Sequence, residues 1–352
     1  MSSLVAIVLT AAPLLVRVLE QEHPVQVRLV AKELSCDGAP LTSPAEIATG
    51  LRQLEVGETK CSVITGQGDI TVEVKGEVRR YPGVLRVTVA GAGLQLINEV
   101  DVEEYLPSVV ETEMAGAKAA ALQAQAVVSR TFALASRRRH GVAGYDLCDS
   151  SHCQVYRGQR VEQAEARAAV AETRGQVLLT GAVALKPASS HASCGGHTSR
   201  ALDVFGEEGA GSAVPDVDKS GVRCREAPNF KWDFVVPRED LAEGLGVRPD
   251  GAAIEVLRRD SAGRVLELRA FGKRMTGEAL VARLGQVFGP HSVLSAKLTV
   301  EEVESQVHFM GTGRGHGVGL CQAGAAALAR QGADWKKILS RYFPDTRVAP
   351  AP

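Results

Sequence analysis

The sequence predicts an α+β fold: a helical core, an N-terminal antiparallel β region, a smaller β-rich subdomain, and a cleft between them. Three observations point there. Alternating apolar and polar residues recur at Val25–Val30, Ile70–Val74 and Val84–Val89. Two helical segments meet at a Gly hinge between Ile97 and Leu134. Alternation then returns at Ile254–Leu257 and Val265–Leu268, around a turn at Asp260–Gly263.

At 352 residues the chain makes one large domain or two modest ones. Residues 1–15 read as an export signal or a first buried strand, and 16–96 as the β region. The core takes 97–230 and resumes at 306–352, with a β-rich insertion at 231–305. The start, MSSLVAIVLTAAPLL, is apolar, but it has no Lys or Arg before Arg17 and no clear small-residue cleavage site. No stretch is long enough to span a bilayer. A content of 45% apolar and 23% charged residues is that of a soluble globular protein. The formal net charge of -1 provides no basic field for nucleic acid.

In the β region, Pro82-Gly83 and Gly91–Gly93 supply turns. Asp101 then caps a helix with Glu103 and Glu104 in its first turn, where the helix dipole favours acid. Tyr105, Val109 and Thr112 form one stripe, flanked by Leu106 and Val110, and Gly116 offers a stop. A second helix is predicted over Ala117–Arg137, with Leu122, Ala126, Ser129 and Ala133 on a narrow small-residue face. Gln125 and Arg130 are polar residues inside it. Glu111 and Glu113 are two apart, so at most one faces a given groove. Arg137–Arg139 close the helix as a solvated terminus or a contact for an anionic polymer.

There are seven cysteines, so at least one lies outside any disulfide. Cys36–Cys61 and Cys194–Cys224 are plausible pairs in an exported protein. Cys148, His152 and Cys153 supply three zinc-type ligands within six residues, and His140 is a candidate fourth. Four protein ligands would leave no open position, so such a zinc is structural. A disulfide or two free thiols is the alternative. Gln154 and Tyr156 follow on the same loop, suited to sugar hydroxyls or N-acetyl groups, unless Tyr156 simply packs.

Val161–Thr173 is a predicted helix, followed by strands at Gln176–Thr180 and near Ala182–Leu185. In the run from His191 to Thr198, Ser193 and His191 do not make a nucleophilic pair, because no orienting acid is evident. A metal site of His191, Cys194, His197 and Cys224 is a weaker alternative there. Gly206–Ser220 reads as a surface loop, and Thr276 caps a helix over Gly277–Leu284. Gly311 to Gly319 has Gly at every second position. That spacing lacks the dinucleotide fingerprint, but it allows close backbone approach, with His316 and Gln322 as the polar side chains beside a helix starting near Leu320.

Several ordered blocks carry a family resemblance. "EEYLPSVVETEM" followed by "AALQAQAVVSRTFAL", then "YDLCDSSHCQVYRG", "HASCGGHTS" and "GTGRGHGVGLCQAGAAALARQG", resemble the SpoIID/LytB family of peptidoglycan-acting proteins. The resemblance covers most of the chain from about residue 83 onward. It implies a lytic transglycosylase whose single acid is the Glu before the Met, Glu113 here. Such an acid must be protonated near neutrality, which burial beside Val109, Val110, Met114 and Ala115 would favour. It implies a structural zinc on His140, Cys148, His152 and Cys153. It also implies Gln125, Arg130, Gln154, Tyr156, His191, Ser193, His316 and Gln322 as residues that orient substrate or the Glu, with the glycine loop completing the cleft. The expected partners are peptidoglycan glycan strands and a cell-wall amidase, in a periplasmic, wall or extracellular location. The other reading is a non-catalytic wall-binding module that stimulates the amidase.

Overall fold

The computed structural model describes residues 12–160, 163–181, 183–248 and 253–352. The apolar start up to residue 11, Val161 with Glu162, and Ala182 lie outside the described residues. The fold is α+β. The chain forms two compact units: residues up to 115 with 133–174, and residues 116–132 with 175–352.

Two sheets make up most of the first unit. A seven-stranded sheet runs in the order Leu147–Cys148, Leu14–Val18, Gly93–Val100, Val84–Ala90, Ile64–Gln67, Glu33–Cys36, Ala39–Pro40. A six-stranded sheet runs Glu77–Tyr81, Ile70–Val74, Gln26–Val30, Ala45–Thr49, Leu54–Val56, Thr59–Cys61. Alternation sets their faces: Leu14, Val16 and Val18 are buried while Leu15 and Arg17 are not. Leu29, Ile47, Val72, Leu85 and Val87 are fully buried as well. Each such side chain contributes about 1.5–3 kcal/mol by leaving water. Cys36 and Cys61 form a disulfide joining a strand of each sheet.

Helix α1 spans Val102–Met114, and the Asp101 side chain accepts from the Glu103 N–H at 2.8 Å. Tyr105, Leu106, Val109 and Val110 are buried. Thr112 is not: its hydroxyl turns back to the Ser108 carbonyl at 2.8 Å and it stays exposed, so the buried stripe is one residue type shorter than its sequence period suggests. Helix α2 spans Ala119–Ala135, and Leu122, Ala126, Ser129 and Ala133 are all buried. Beyond it Arg137 donates to the carbonyls of Ala12 and Pro13, while Arg138 and Arg139 are exposed. The next helix, Ala164–Glu172, packs on α1.

In the second unit Gln176–Thr180 pairs antiparallel with Thr346–Pro350. Of the strand expected near Ala182–Leu185, Ala182 lies outside the described residues, and the described residues 183–185 form no strand. Gly181, at φ 60°, takes the left-handed turn conformation, and among the described residues that follow it Ala184 bridges back to Thr180. Two three-stranded sheets follow, Lys231–Pro237 with Gln306–Thr312 and Leu298–Val303, and Glu255–Arg259 with Val265–Ala270 and Lys273–Thr276. They share a core of Trp232, Leu241, Leu268, Leu280, Leu284 and Phe309. The Thr276 hydroxyl accepts from the Ala279 N–H at 3.1 Å and caps a helix that runs on to Phe288.

Asn98 ties the first unit together. Fully buried, it donates to the carbonyls of Pro82 (2.7 Å) and Val84 (3.1 Å) and accepts from the Tyr156 hydroxyl at 2.9 Å. Asn98→Leu strands all three groups, so it should destabilise this unit by about 2–4 kcal/mol in urea unfolding, against under ~1 kcal/mol for a change at an exposed position such as Arg52→Ala.

Candidate functional site

Glu113 sits on the last turn of α1 and is half-buried, between Thr112, which is exposed, and Met114, which is buried. Of its expected apolar surroundings, Val109, Val110 and Met114 are buried, whereas Ala115 is exposed. Two turns back on α1, Tyr105 is fully buried. Burial pushes its phenol well above the usual tyrosine value, and the neighbouring cysteine pair and Glu113 push it further. The Tyr105 hydroxyl donates to Gln154 Oε1 at 3.2 Å. One phenol thus lies within electrostatic reach of Glu113 and of the cysteine pair.

The loop carrying that pair is fixed to the first strand. Leu147–Cys148 runs parallel to Val16–Arg17. Asp146 accepts from the N–H groups of Leu15 (3.0 Å) and Arg138 (2.7 Å), and Asp149 from Leu19 (2.8 Å). The buried Arg79 guanidinium lies 3.5 Å from Asp149. His140, Cys148, His152 and Cys153 converge, with their ligand atoms all within 4.8 Å of one another. His140 Nε2 is 3.3 Å from Cys153 Sγ, and His152 Nδ1 is 3.6 Å and 3.7 Å from Cys148 and Cys153. A tetrahedron with arms of about 2.0–2.3 Å has edges of roughly 3.3–3.8 Å, so two nitrogens and two sulfurs at these spacings fit a zinc-sized ion. The Cys153 thiol donates to Cys148, which with Ser150 and His152 lowers the Cys148 thiol to about 3 and raises that of Cys153. The set therefore already favours one thiolate, the form a metal needs.

Tyr156 is fully buried with its hydroxyl on Asn98, and its ring lies 4.8 Å from that of Tyr105. Of the two polar residues expected on this loop, Tyr156 packs and Gln154 pairs with Tyr105.

In the second unit, Gln125, His191, Ser193, His316 and Gln322 draw together around the glycine loop. Gln125 donates to Ser129 and Ser190, both at 3.0 Å, and Gln322 lies 3.5 Å from the Gln125 carbonyl oxygen. Arg130 is fully buried and donates to the Gln176 carbonyl at 3.2 Å, a position that braces a strand. Ser190–His191 pairs parallel with Leu320–Cys321, and Ser193 bridges to Arg314. The alternating glycines make this possible. A side chain at Gly313 would meet the Ser193 carbonyl at 2.5 Å, and one at Gly319 the Ser189 carbonyl at 2.2 Å; both have positive φ. A side chain at Gly317 would meet Arg264, a fully buried guanidinium that donates to the Gly315 carbonyl at 3.0 Å.

His316 Nε2 donates to the Ser190 carbonyl at 2.9 Å, while Nδ1 accepts from the Val318 N–H at 3.0 Å. Both ring nitrogens are thereby engaged in the neutral form. His191 Nδ1 donates to the Val318 carbonyl at 3.1 Å, leaving a buried Nε2 without a hydrogen-bond partner among the described residues. Cys194 and Cys224 are not bonded: their sulfurs stand 3.6 Å apart, so the expected disulfide is corrected. His197 turns to the Thr198 carbonyl at 2.7 Å, away from Cys194 and Cys224, so it does not join them as a metal ligand. The stretch read as a surface loop holds Asp216, which is fully buried.

Sequence reasoning missed the residues that hold these loops: Asp146, Asp149, Arg79, Asn98, Ser190, Arg264 and Asp216. The two aspartates had a signal, since an acidic residue flanks each end of a buried Leu-Cys pair. The others had none short of the fold.

The SpoIID family profile, described as Stage II sporulation protein, matches residues 90–179. An uncharacterized protein of Brachyspira hyodysenteriae is 30% identical over 70% of this chain and 66% of its own length. The Stage II sporulation protein D of Bacillus subtilis is 25% identical over 73% of the chain and 77% of its length. The Amidase enhancer of the same organism is 24% identical over 69% of the chain. The chain spans only 40% of that last relative and 66% of the Brachyspira protein. Among the described residues no helix is long and apolar enough to cross a membrane.

The histidine pair makes the second unit sensitive to acid. Burial, followed by the Arg264 charge, lowers His316 to about 4, and burial lowers His191 well below its usual value. A depressed histidine stabilises fully above its unfolded pKa, near 6.5, and that contribution is lost as pH falls toward the folded value. We expect stability to drop from pH ~6.5 to ~4 by at most about 3 kcal/mol for His316, less because the residue is only half-buried. His316→Asn should be less stable at pH 7 and should flatten that slope, as read by urea unfolding across the range.

Proposed function

Because the chain belongs to the SpoIID/LytB family, we propose that it is an exported cell-wall protein that cleaves peptidoglycan glycan strands as a lytic transglycosylase, with Glu113 as its single acid and base. The observation that carries this reading is the company Glu113 keeps within the first unit. It is a half-buried carboxyl at the end of a helix whose buried Tyr105, two turns back, donates to Gln154 on the loop that carries Cys148 and Cys153.

In this reaction Glu113 gives its proton to the oxygen between N-acetylmuramic acid and N-acetylglucosamine as the bond to C1 breaks. The muramyl C6 hydroxyl closes on C1 and returns its proton to the Glu113 carboxylate, so the product is a 1,6-anhydro sugar and no water is consumed. The chemistry needs one carboxyl rather than two, which suits a helix on which Glu111 points away from Glu113. Gln154, held by the buried Tyr105 hydroxyl, orients substrate or the acid from the same unit. His140, Cys148, His152 and Cys153 would hold zinc, which supplies a closed structural pin and no open position. Taken by itself, the second unit offers Gln125, His191, Ser193, His316 and Gln322, gathered around its glycine loop, as further candidate glycan contacts.

A second reading has its own support. Arg130 and Tyr156, two of the residues expected at the glycan, are fully buried and bonded within their own units. A non-catalytic module that stimulates an N-acetylmuramoyl-L-alanine amidase would keep these as structure.

Purified protein incubated with denuded glycan strands should release anhydro-muramyl products seen by mass analysis. Glu113→Gln should lower their rate by about 10²–10⁴ with the melting temperature within a few degrees of wild type. Glycan cleavage undiminished in Glu113→Gln would refute the assignment, and absence of products from wild type together with a stimulated amidase would favour the second reading. Chelation of the proposed zinc should lower the melting temperature and activity together. Activity lost at an unchanged melting temperature would instead mean a catalytic metal.

A further inference from the structure

Three cysteines distant in sequence meet in the second unit. Cys194, Cys224 and Cys321 are buried, and the carboxylate beside them, Asp216, is fully buried. Cys194 Sγ lies 3.6 Å from Cys224 Sγ and 3.4 Å from Asp216 Oδ2, and the four donor atoms are all within 4.8 Å of one another. A disulfide requires about 2.05 Å between sulfurs. The edge of a tetrahedron with metal–sulfur arms of about 2.3 Å is roughly 3.8 Å, which is near the observed spacing.

The surroundings are those of anionic sulfur. The Cys194 N–H donates to Cys321 Sγ and the Gly196 N–H to Cys194 Sγ, both at 3.3 Å. Hydrogen bonds of this kind favour thiolate over thiol. A second layer orients the carboxylate: Asp216 Oδ1 accepts from the Tyr342 hydroxyl at 3.0 Å and from Arg223 at 3.5 Å, leaving Oδ2 toward Cys194. Gly324 keeps the helix Gln322–Arg330 clear of that carboxylate, since a side chain there would stand 2.4 Å from Asp216 Oδ2. Three thiolates and a carboxylate around a divalent ion leave two net negative charges. Arg223 and Lys297, whose ammonium donates to the Gly195 carbonyl at 2.9 Å, oppose them.

We propose that Cys194, Asp216, Cys224 and Cys321 bind one tetrahedral divalent ion of zinc's class, a site distinct in residues from His140, Cys148, His152 and Cys153. Thiolate donors select zinc over magnesium or calcium, and donors this close enclose one ion rather than a multi-iron cluster. Each thiol still protonated releases its proton to solvent on binding. The ion ties together four segments, and two of its ligands adjoin the Ser190–His191 and Leu320–Cys321 pairing that seats His191.

Metal content of the full-length protein, purified with zinc and desalted, tests this without any activity assay. Cys321→Ser should hold one fewer equivalent per chain than wild type, and Asp216→Asn should weaken zinc at least tenfold in chelator competition. The Cys148→Ser/Cys153→Ser double variant should keep one equivalent, and loading it with cobalt should give a charge-transfer band of the strength three thiolates produce. Should Cys321→Ser fail to fold, Asp216→Cys should retain the ion with a stronger band. Equal metal content in wild type and Cys321→Ser, no cobalt–thiolate band in the double variant, or a Cys194–Cys224 disulfide in freshly purified, metal-saturated protein would each overturn the proposal.

Discussion

Two buried carboxylates hold the loop on which the first unit's chemistry depends. Asp146 and Asp149 take backbone N–H groups at both ends of the strand Leu14–Val18 and thereby set Leu147–Cys148 in parallel register beside it. An aspartate with little access to water is costly unless its oxygens find donors. Here the donors are amides of a neighbouring strand, so the cost of burial fixes the loop's position. Everything after Cys148 inherits that placement: the sulfur and imidazole donors, Gln154 against Tyr105, and Tyr156 against Asn98. Burial raises Asp149 to about 6, with its amide and Arg79 contacts working the other way.

The second unit solves a similar problem with glycine and arginine. A backbone segment pressed against residues 189–193 has no room for side chains at alternate positions, and the four glycines from 313 to 319 all adopt positive φ. Arg264 then occupies the space beneath, donating to the Gly315 carbonyl and standing 3.7 Å from Glu278. A buried ion pair of this sort adds little net stability, but removal of either partner leaves an uncompensated charge. Its value is in holding one loop conformation, on which the two histidines depend for their neutral forms.

Local patterns in the sequence announced the strands and helices wherever a period and a cap coincided. Asp101 and Thr276 cap helices as their spacing implies, because an N-cap needs only neighbours a few residues away. The metal-type set around Cys148 was legible for the same reason, since three of its members fall within six residues. Asp216 was not, because a carboxylate in a loop between Pro215 and Val217 gives no hint that Tyr342, over a hundred positions later, will bond to it in the interior. Arg130 and Tyr156 show the converse: polar groups inside motifs, yet turned to backbone and to Asn98. A motif records which residues gather, while long-range hydrogen bonds decide which of them face outward.

The central claim, that a single carboxyl drives ring closure without water, is tested most directly by running the reaction on purified glycan in water enriched in oxygen-18. The account predicts anhydro-muramyl ends carrying no heavy oxygen, formed by wild type and lost in Glu113→Gln. Reducing ends that each carry one heavy oxygen would mean hydrolysis, and would contradict it.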